Sequence, residues 1–280
     1  MRIVVLFLLF LSSISLHAQN DFIIDRGETD LWQDFTYDMG NVFQGVGFAY
    51  SRPLYWDKND LLVAGGVTAA TLGFYAVDDN ITRELTGQRD DIPEILLDYG
   101  YYAGAPQNNY GLSGAIYLTG LFTKNEKLRR TGVLLISSAT ATGFFQQLTK
   151  SATGRARPSA GLGKNHFRPF GGSSEFRSFP SGHAVLTFTN AHVIAKQFEN
   201  PWVKAGIYTL GVVPGLSRIY EGKHFASDVF LSWALSYFMV EAIDLYLDRK
   251  YEQKYNDNRT KTTSLDLNFT LNSVGVSYTF

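Results

Sequence analysis

A short run late in the chain, Ser217 to Asp228 (SRIYEGKHFASD), brings an arginine, a histidine and an aspartate together. His224 and Asp228 stand four residues apart, a spacing that puts both on one face of a helix, within side-chain reach. A carboxylate bonded to one imidazole nitrogen fixes the tautomer and leaves the other nitrogen basic and directed, as a nucleophile requires. Arg218, just upstream beside Ser217, has a guanidinium that can fork onto phosphate oxygens. A lone His-x-x-x-Asp pair is also an ordinary surface or core hydrogen bond, so its meaning depends on what accompanies it.

Two further segments accompany it. Pro180-Ser181-Gly182-His183 opens a helix-like run. Ser181 suits the N-cap, Gly182 permits close backbone approach, and the first-turn amides of such a helix form an anion site. Further back, Lys150 is followed after six residues by Arg157-Pro158. The order K-x6-RP, PSGH, SR-x5-H-x3-D resembles the tripartite signature of the type 2 phosphatidic acid phosphatase and vanadium haloperoxidase superfamily. The resemblance covers Lys150 to Asp228, and the flanking helices only by analogy. It implies an all-α helical bundle and a phosphoric monoester hydrolase that needs no metal and no cofactor.

The resemblance also implies a role for each residue. Lys150, Arg157 and Arg218 neutralise phosphate oxygens, helped by the Ser181 hydroxyl and the Gly182 and His183 amides. His224 attacks phosphorus and forms a phosphohistidine, and Asp228 orients it. His183 protonates the leaving oxygen and then takes a proton from water. Two alternatives share the signature: a vanadate-dependent haloperoxidase, for which this chain leaves little room, and a non-specific periplasmic acid phosphatase.

The elements that must position these residues follow from composition and pattern. A chain of 280 residues suits one domain with ample core. A net charge of −1 supplies no field for nucleic acid, and the absence of cysteine excludes disulfides and thiolate metal sites. Residues 1–18 have the charged start, apolar run and small-residue end of a secretory signal, so the chain is expected to be exported. Residues 19–60, with Gly40, Gly45 and Gly47, read as a loop-rich N-terminal arm. Residues 61–250 form the helical phosphatase domain.

Within that domain Leu61 to Val77 is an apolar run closed by Asp78-Asp79. Tyr110–Phe122 and Gly132–Leu148 read as a helical hairpin with a basic turn of Lys124, Lys127, Arg129 and Arg130, and its second helix delivers Lys150. Ala184, Phe188, Ala191, Ala195 and Phe198 predict an amphipathic helix, in which His192 is structural. The glycine-rich stretch from Gly154 to Phe179, with Arg155, Lys164, His166, Arg168 and Arg177, is expected to sit over the site as a basic loop. Residues 251–280 form a linker and a β-hairpin, because the alternation through Leu265, Leu267 and Phe269 changes phase at Asn272-Ser273.

A bilayer span needs about 20 apolar residues. Most runs here fall short or carry polar interruptions, and the mean hydropathy is −0.08. A membrane-associated domain is therefore expected rather than a deeply embedded one, in the cell envelope with its site facing the periplasm, in either the inner or the outer membrane. The substrate expected is a phosphorylated lipid or small molecule, with the aromatic and apolar content favouring lipid.

Overall fold

The computed structural model describes residues 30–261, 264–270 and 273–279. The signal-like stretch 1–18 lies outside them. Among the described residues eight α-helices run in the order α1 (Leu31–Ser51), α2 (Lys58–Gly87), α3 (Glu94–Ala103), α4 (Pro106–Phe122), α5 (Glu126–Thr153), α6 (Gly182–Ala195), α7 (Pro201–Tyr220) and α8 (Ala226–Lys261). Their starts carry the expected signals. Asp57 and Asp60 form a reciprocal capping box on α2, and Asn125 and Asn200 cap α5 and α7.

The helices α5, α6 and α8 pack on one another, with α4 against α5, α7 against α6, α1 across α5 and α8, and α2 along α8. The main core joins Val133, Leu134 and Leu135 of α5 with Val193 of α6 and Val240, Ile243 and Leu247 of α8. Val42 and Ala49 of α1 complete it. The α4–α5 hairpin closes tightly because Gly132 faces Tyr117: a Cβ at Gly132 would lie 2.6 Å from the Tyr117 Cα.

Four expectations are corrected. The stretch read as a loop-rich arm contains the 21-residue helix α1. Its Gly45 is a contact rather than a breaker, since a Cβ there would meet Ile243 at 3.3 Å and Tyr246 at 3.4 Å. The basic turn is smaller than it reads. Arg129 and Arg130 lie in α5, Arg129 fully buried against Asp34 and Asp38, and Arg130 paired with Asp244 at 2.7 Å. Helix α6 is enclosed on nearly all sides rather than amphipathic, because Val185, Leu186 and Val193 are buried along with Ala184, Ala191 and Ala195. His192 in it is held structurally, between Tyr208 Oη at 2.7 Å and Glu241 Oε1 at 2.8 Å.

The fourth correction concerns the apolar run. Asp78-Asp79 does not close it, and the helix continues to Gly87. Two helical segments among the described residues, Lys58–Gly87 and Ala226–Gln253, are long and apolar enough to cross a membrane. The most apolar window of α2 has none of its residues buried, and Leu61, Leu62, Val63 and Leu72 are exposed. Past α8, Ser264–Thr270 and Ser273–Thr279 run antiparallel, with Leu267 opposite Val276. Their side chains lie outside the described residues.

The α4–α5 contact makes a test with two signs. Gly132→Ala should lower stability by about 1–3 kcal/mol, because the new methyl meets backbone that cannot yield. Gly111→Ala on α4, where a Cβ meets nothing within 4 Å, should raise it by about 0.5–1 kcal/mol. Thermal unfolding of the two variants in detergent checks both signs.

Candidate active site

The three sequence segments converge at the ends of four helices. Lys150 lies in the last turn of α5, which Gly154 terminates in the left-handed conformation (φ 55°). A Cβ on Gly154 would press into the Arg168 carbonyl, so the turn into the following loop needs glycine. Arg157 precedes the short 3-10 turn Pro158–Ala160. Ser181 caps α6 through its hydroxyl, as its sequence position predicts, and Gly182 and His183 begin that helix. Arg218 is in the last turn of α7, His224 follows in the connecting loop, and Asp228 sits in the first turn of α8.

His224 differs from expectation in its partner. It precedes α8 instead of sharing a helical face with Asp228, and its Nδ1 lies 3.7 Å from Asp228 Oδ2, an ion-pair separation. The hydrogen bond from Nδ1 goes instead to the main-chain carbonyl of Ser178, at 2.6 Å. A carbonyl only accepts, so the ring proton is on Nδ1 and the lone pair is on Nε2. The tautomer reasoning holds, with a backbone oxygen in the role expected of the carboxylate.

Asp228 is fully buried and makes three other bonds. Its Oδ1 accepts from Arg155 Nη1 at 2.6 Å, and its Oδ2 accepts from Ser178 Oγ at 2.5 Å and Phe225 N at 2.8 Å. Arg155 reaches back to Asp78 Oδ2 on α2 at 2.8 Å and also bonds Ser227 Oγ. Its guanidinium lies between the rings of Tyr75 and Phe225. Arg155 is therefore a buried structural cation and not part of a solvated basic cover.

The rest of the Gly154–Phe179 loop is stitched down as well. Ala156 N bonds His166 O, Arg157 N bonds Glu175 O, and Ser178 N bonds Arg155 O. Arg177 is held by Gln147 at 2.7 Å, while Lys164 reaches the Ala76 carbonyl on α2. His166 and Arg168 both lie against Phe176. These bonds make the loop a fixed wall.

Two of the three cations of the site lack such partners. Among the described residues Lys150 and Arg157 have no ion pair, and Arg157 Nε is buried with no hydrogen-bond partner. Arg218 pairs with Glu221 at 2.9 Å. Burial, and then the neighbouring Arg157, push the Lys150 ammonium down to about 7. Burial followed by Arg218 lowers Arg157 too. The histidines feel the same field. Burial lowers His183 to about 3, with Arg218, His224, Lys150 and Arg157 adding to it. Burial lowers His224 to about 4, against the pull of Asp228. Both rings are neutral in the empty site at neutral pH. Buried cations near an imidazole with a free lone pair have the chemistry to hold a tetrahedral oxyanion.

Asp78, Arg155, Ser178 and Ser227 escaped the sequence reading of the site. So did Gly104, where a Cβ would overlap the His183 ring, and Tyr101, whose ring centroid is 6.0 Å from that of His183. The one signal available was the Asp78-Asp79 pair interrupting an apolar run.

Comparison with known proteins places the chain among relatives with a named family. Residues 131–251 match the PAP2 superfamily. The lipid A 1-phosphatase of Rhizobium etli is 33% identical over 105 residues, 37% of this chain and 44% of that protein. The lipid A 1-phosphatase of Porphyromonas gingivalis is 28% identical over 200 residues, 68% of this chain and 38% of that protein. The aligned part thus spans less than half the length of either curated relative. A crystal structure of a transmembrane PAP2 type phosphatidylglycerolphosphate phosphatase from Bacillus subtilis superposes with a TM-score of 0.51 at 21% identity, covering 66% of this chain and 95% of that one. That likeness carries the helical fold and lends no support to the C-terminal strand pair.

Lys150 predicts a pH dependence. A bound dianion pairs with the charged ammonium and raises its pKa, so above about 7 binding takes up a proton. Affinity for sulfate, whose own charge is constant between pH 6 and 9, should weaken as the pH rises above 7, the Lys150 ammonium contributing up to about tenfold per pH unit, the limit for one linked proton. Lys150→Arg, which stays charged, should flatten that part of the profile in calorimetric titrations.

Proposed function

Because residues 131–251 form a PAP2 superfamily domain, we propose that this chain is a metal-independent phosphatase that hydrolyses lipid phosphate monoesters through a phosphohistidine. The observation that supports this most directly is the Nδ1 bond from His224 to the Ser178 carbonyl, which directs Nε2 as a lone pair. Lys150, Arg157 and Arg218 take the three non-bridging oxygens, together with the Ser181 hydroxyl and the Gly182 and His183 amides. Their fixed charge supplies what a metal ion otherwise would.

In the first step a bond forms between His224 Nε2 and phosphorus as the bond to the leaving oxygen breaks. The positive charge that develops on the ring is stabilised by Asp228, 3.7 Å from Nδ1. The leaving oxygen takes a proton from His183. We assign that proton to the charge of the arriving phosphate dianion, which favours the protonated ring against the burial and the neighbouring cations that lower it. In the second step water attacks phosphorus, His183 accepts its proton, and His224 and inorganic phosphate are regenerated.

Two relatives named as lipid A 1-phosphatases, and the outward apolar surface of α2, favour a lipid substrate of that kind. Inward-facing packing does not account for the exposed leucines of α2, and a lipid environment does. The exposed length of α2 shifts the reading from a domain that docks on the membrane to one that embeds this helix. Export, an envelope location and a periplasm-facing site belong to the same proposal, and so does the C-terminal hairpin as an accessory to the helical domain.

His224→Ala should abolish turnover, since no neighbour replaces the nucleophile. His183→Ala should lose far more activity on a lipid phosphate than on an activated aryl phosphate, whose leaving group needs no proton. Equal losses on both substrates, measured by phosphate release, would count against this division of roles. Activity should also persist in EDTA. An embedded α2 should keep the chain in membranes through alkaline and high-salt washes, with release only by detergent.

A further inference from the structure

Hydrogen bonds fix the rings of His224, through the Ser178 carbonyl, and of His192, through Tyr208 and Glu241. His183 is held differently. Its main-chain carbonyl accepts from Thr187 Oγ1 at 2.7 Å, but neither ring nitrogen has a hydrogen-bond partner among the described residues. What meets the ring is the end of α3. A Cβ on Gly104 would overlap it, and the Tyr101 ring lies with its centroid 6.0 Å away at an interplanar angle of 37°. The Arg218 guanidinium lies 5.7 Å from the centroid of the same Tyr101 ring.

Helix α3 is anchored in this place at three points. Tyr99 Oη donates to the Leu210 carbonyl at 3.1 Å, four residues before Pro214, whose missing N–H leaves that oxygen without its ladder partner. Gly100 passes so close to Ser217 that a Cβ would overlap its hydroxyl. Asn109 Nδ2 donates to the Ala103 carbonyl at 2.5 Å, and Asn190 of α6 donates to Asn109 Oδ1 at 2.6 Å. Tyr101 itself remains 53% exposed, so burying its ring is not what these anchors achieve.

We infer that Tyr101 is a positioning residue for His183, holding the imidazole against its ring and favouring the protonated form that the leaving oxygen requires. A hydrogen bond to one ring nitrogen commits a histidine to one tautomer, as at His224. A general acid that becomes a general base must carry a proton and then lose it, and contact with an aromatic ring permits both states. The negative face of such a ring attracts a cation within about 6 Å of its centroid, so it favours imidazolium over imidazole. It acts there against burial and against Arg218, His224, Lys150 and Arg157, which all lower His183. The inference rests on the reading of His183 as the proton donor.

Turnover of phosphatidic acid and of p-nitrophenyl phosphate is measured on the full-length wild type, Tyr101→Leu, Tyr101→Phe and His183→Ala in detergent. Tyr101→Leu should lose about three- to tenfold in kcat on phosphatidic acid and less than about twofold on p-nitrophenyl phosphate, whose leaving group needs no proton. An effect through Arg218 alone would lower both substrates alike, since each brings the same phosphoryl group. The alkaline limb of the phosphatidic acid profile should move to lower pH in Tyr101→Leu, because the acid is then protonated less often. Tyr101→Phe, which keeps the ring, should restore both readings. Tyr102→Leu, comparably exposed and packed on Tyr101, should not separate the substrates. Equal losses on the two substrates in Tyr101→Leu, with His183→Ala still separating them, overturn the inference and leave the division of catalytic roles standing. Equal losses in His183→Ala remove the proton-donor reading and the inference with it, as does a wild type that hydrolyses neither substrate.

Discussion

One buried carboxylate organises the site. Asp228 receives Arg155, the Ser178 hydroxyl and the Phe225 amide on its side chain, and Ser232 Oγ and Ser181 N on its main-chain oxygen. It thereby ties the wall loop, the cap of α6 and the His224 loop to the start of α8. A charge so completely desolvated persists only when its partners are complete, and removing one partner of such a pair typically costs about 3–5 kcal/mol. Arg155 is that partner, and it is shared with Asp78 on α2, so the helix with the outward apolar surface is fixed to the centre of the pocket by a chain of alternating charge.

That chain has two carboxylates to one guanidinium, and Asp228 acts on two cations of the site. Asp228 raises the pKa of both Lys150 and Arg157 against the burial that lowers them. Paired cations elsewhere show the contrast. Arg129 faces Asp34 and Asp38, Arg130 faces Asp244 and Asp248, and Lys196 faces Glu241 and Asp244. The same residue types are staples where carboxylates pair with them, whereas Lys150 and Arg157 have no ion pair among the described residues and Arg218 has only Glu221.

The sequence disclosed the site better than the scaffold, for physical reasons. Lys150, Arg157, Ser181, Arg218, His224 and Asp228 fall in short segments whose spacing is itself the signal. Their caps and termini, such as Ser181 on α6, follow from local rules. Ser178 was illegible because it acts through a main-chain carbonyl, which every residue type possesses. Asp78 and Arg155 were illegible because they meet across 77 positions of chain, and Arg155 stood among other basic residues that suggested a solvated loop. In α1, glycine read as a breaker because Gly45 matters only once Ile243 and Tyr246 lie against it. The stripe in α6 misled because burial on all sides erases the polar face that a stripe implies.

Burial sets the charges of the site against folding. Lys150 held near 7 and His183 near 3 mean that folding opposes their charged forms, which stay more protonated in the unfolded chain. For a basic group whose folded pKa is lowered, stability falls as pH drops through the window from the unfolded value to the folded one, for Lys150 from 10.5 to about 7. For His183 and His224 that window runs from about 6.5 down to about 3 and about 4. A bound oxyanion favours the charged forms of these groups against the burial that lowers them. The bonds through Asp228 hold the wall loop, the α6 cap and the start of α8 in one arrangement, and charges aligned in advance meet an anion without reorganisation.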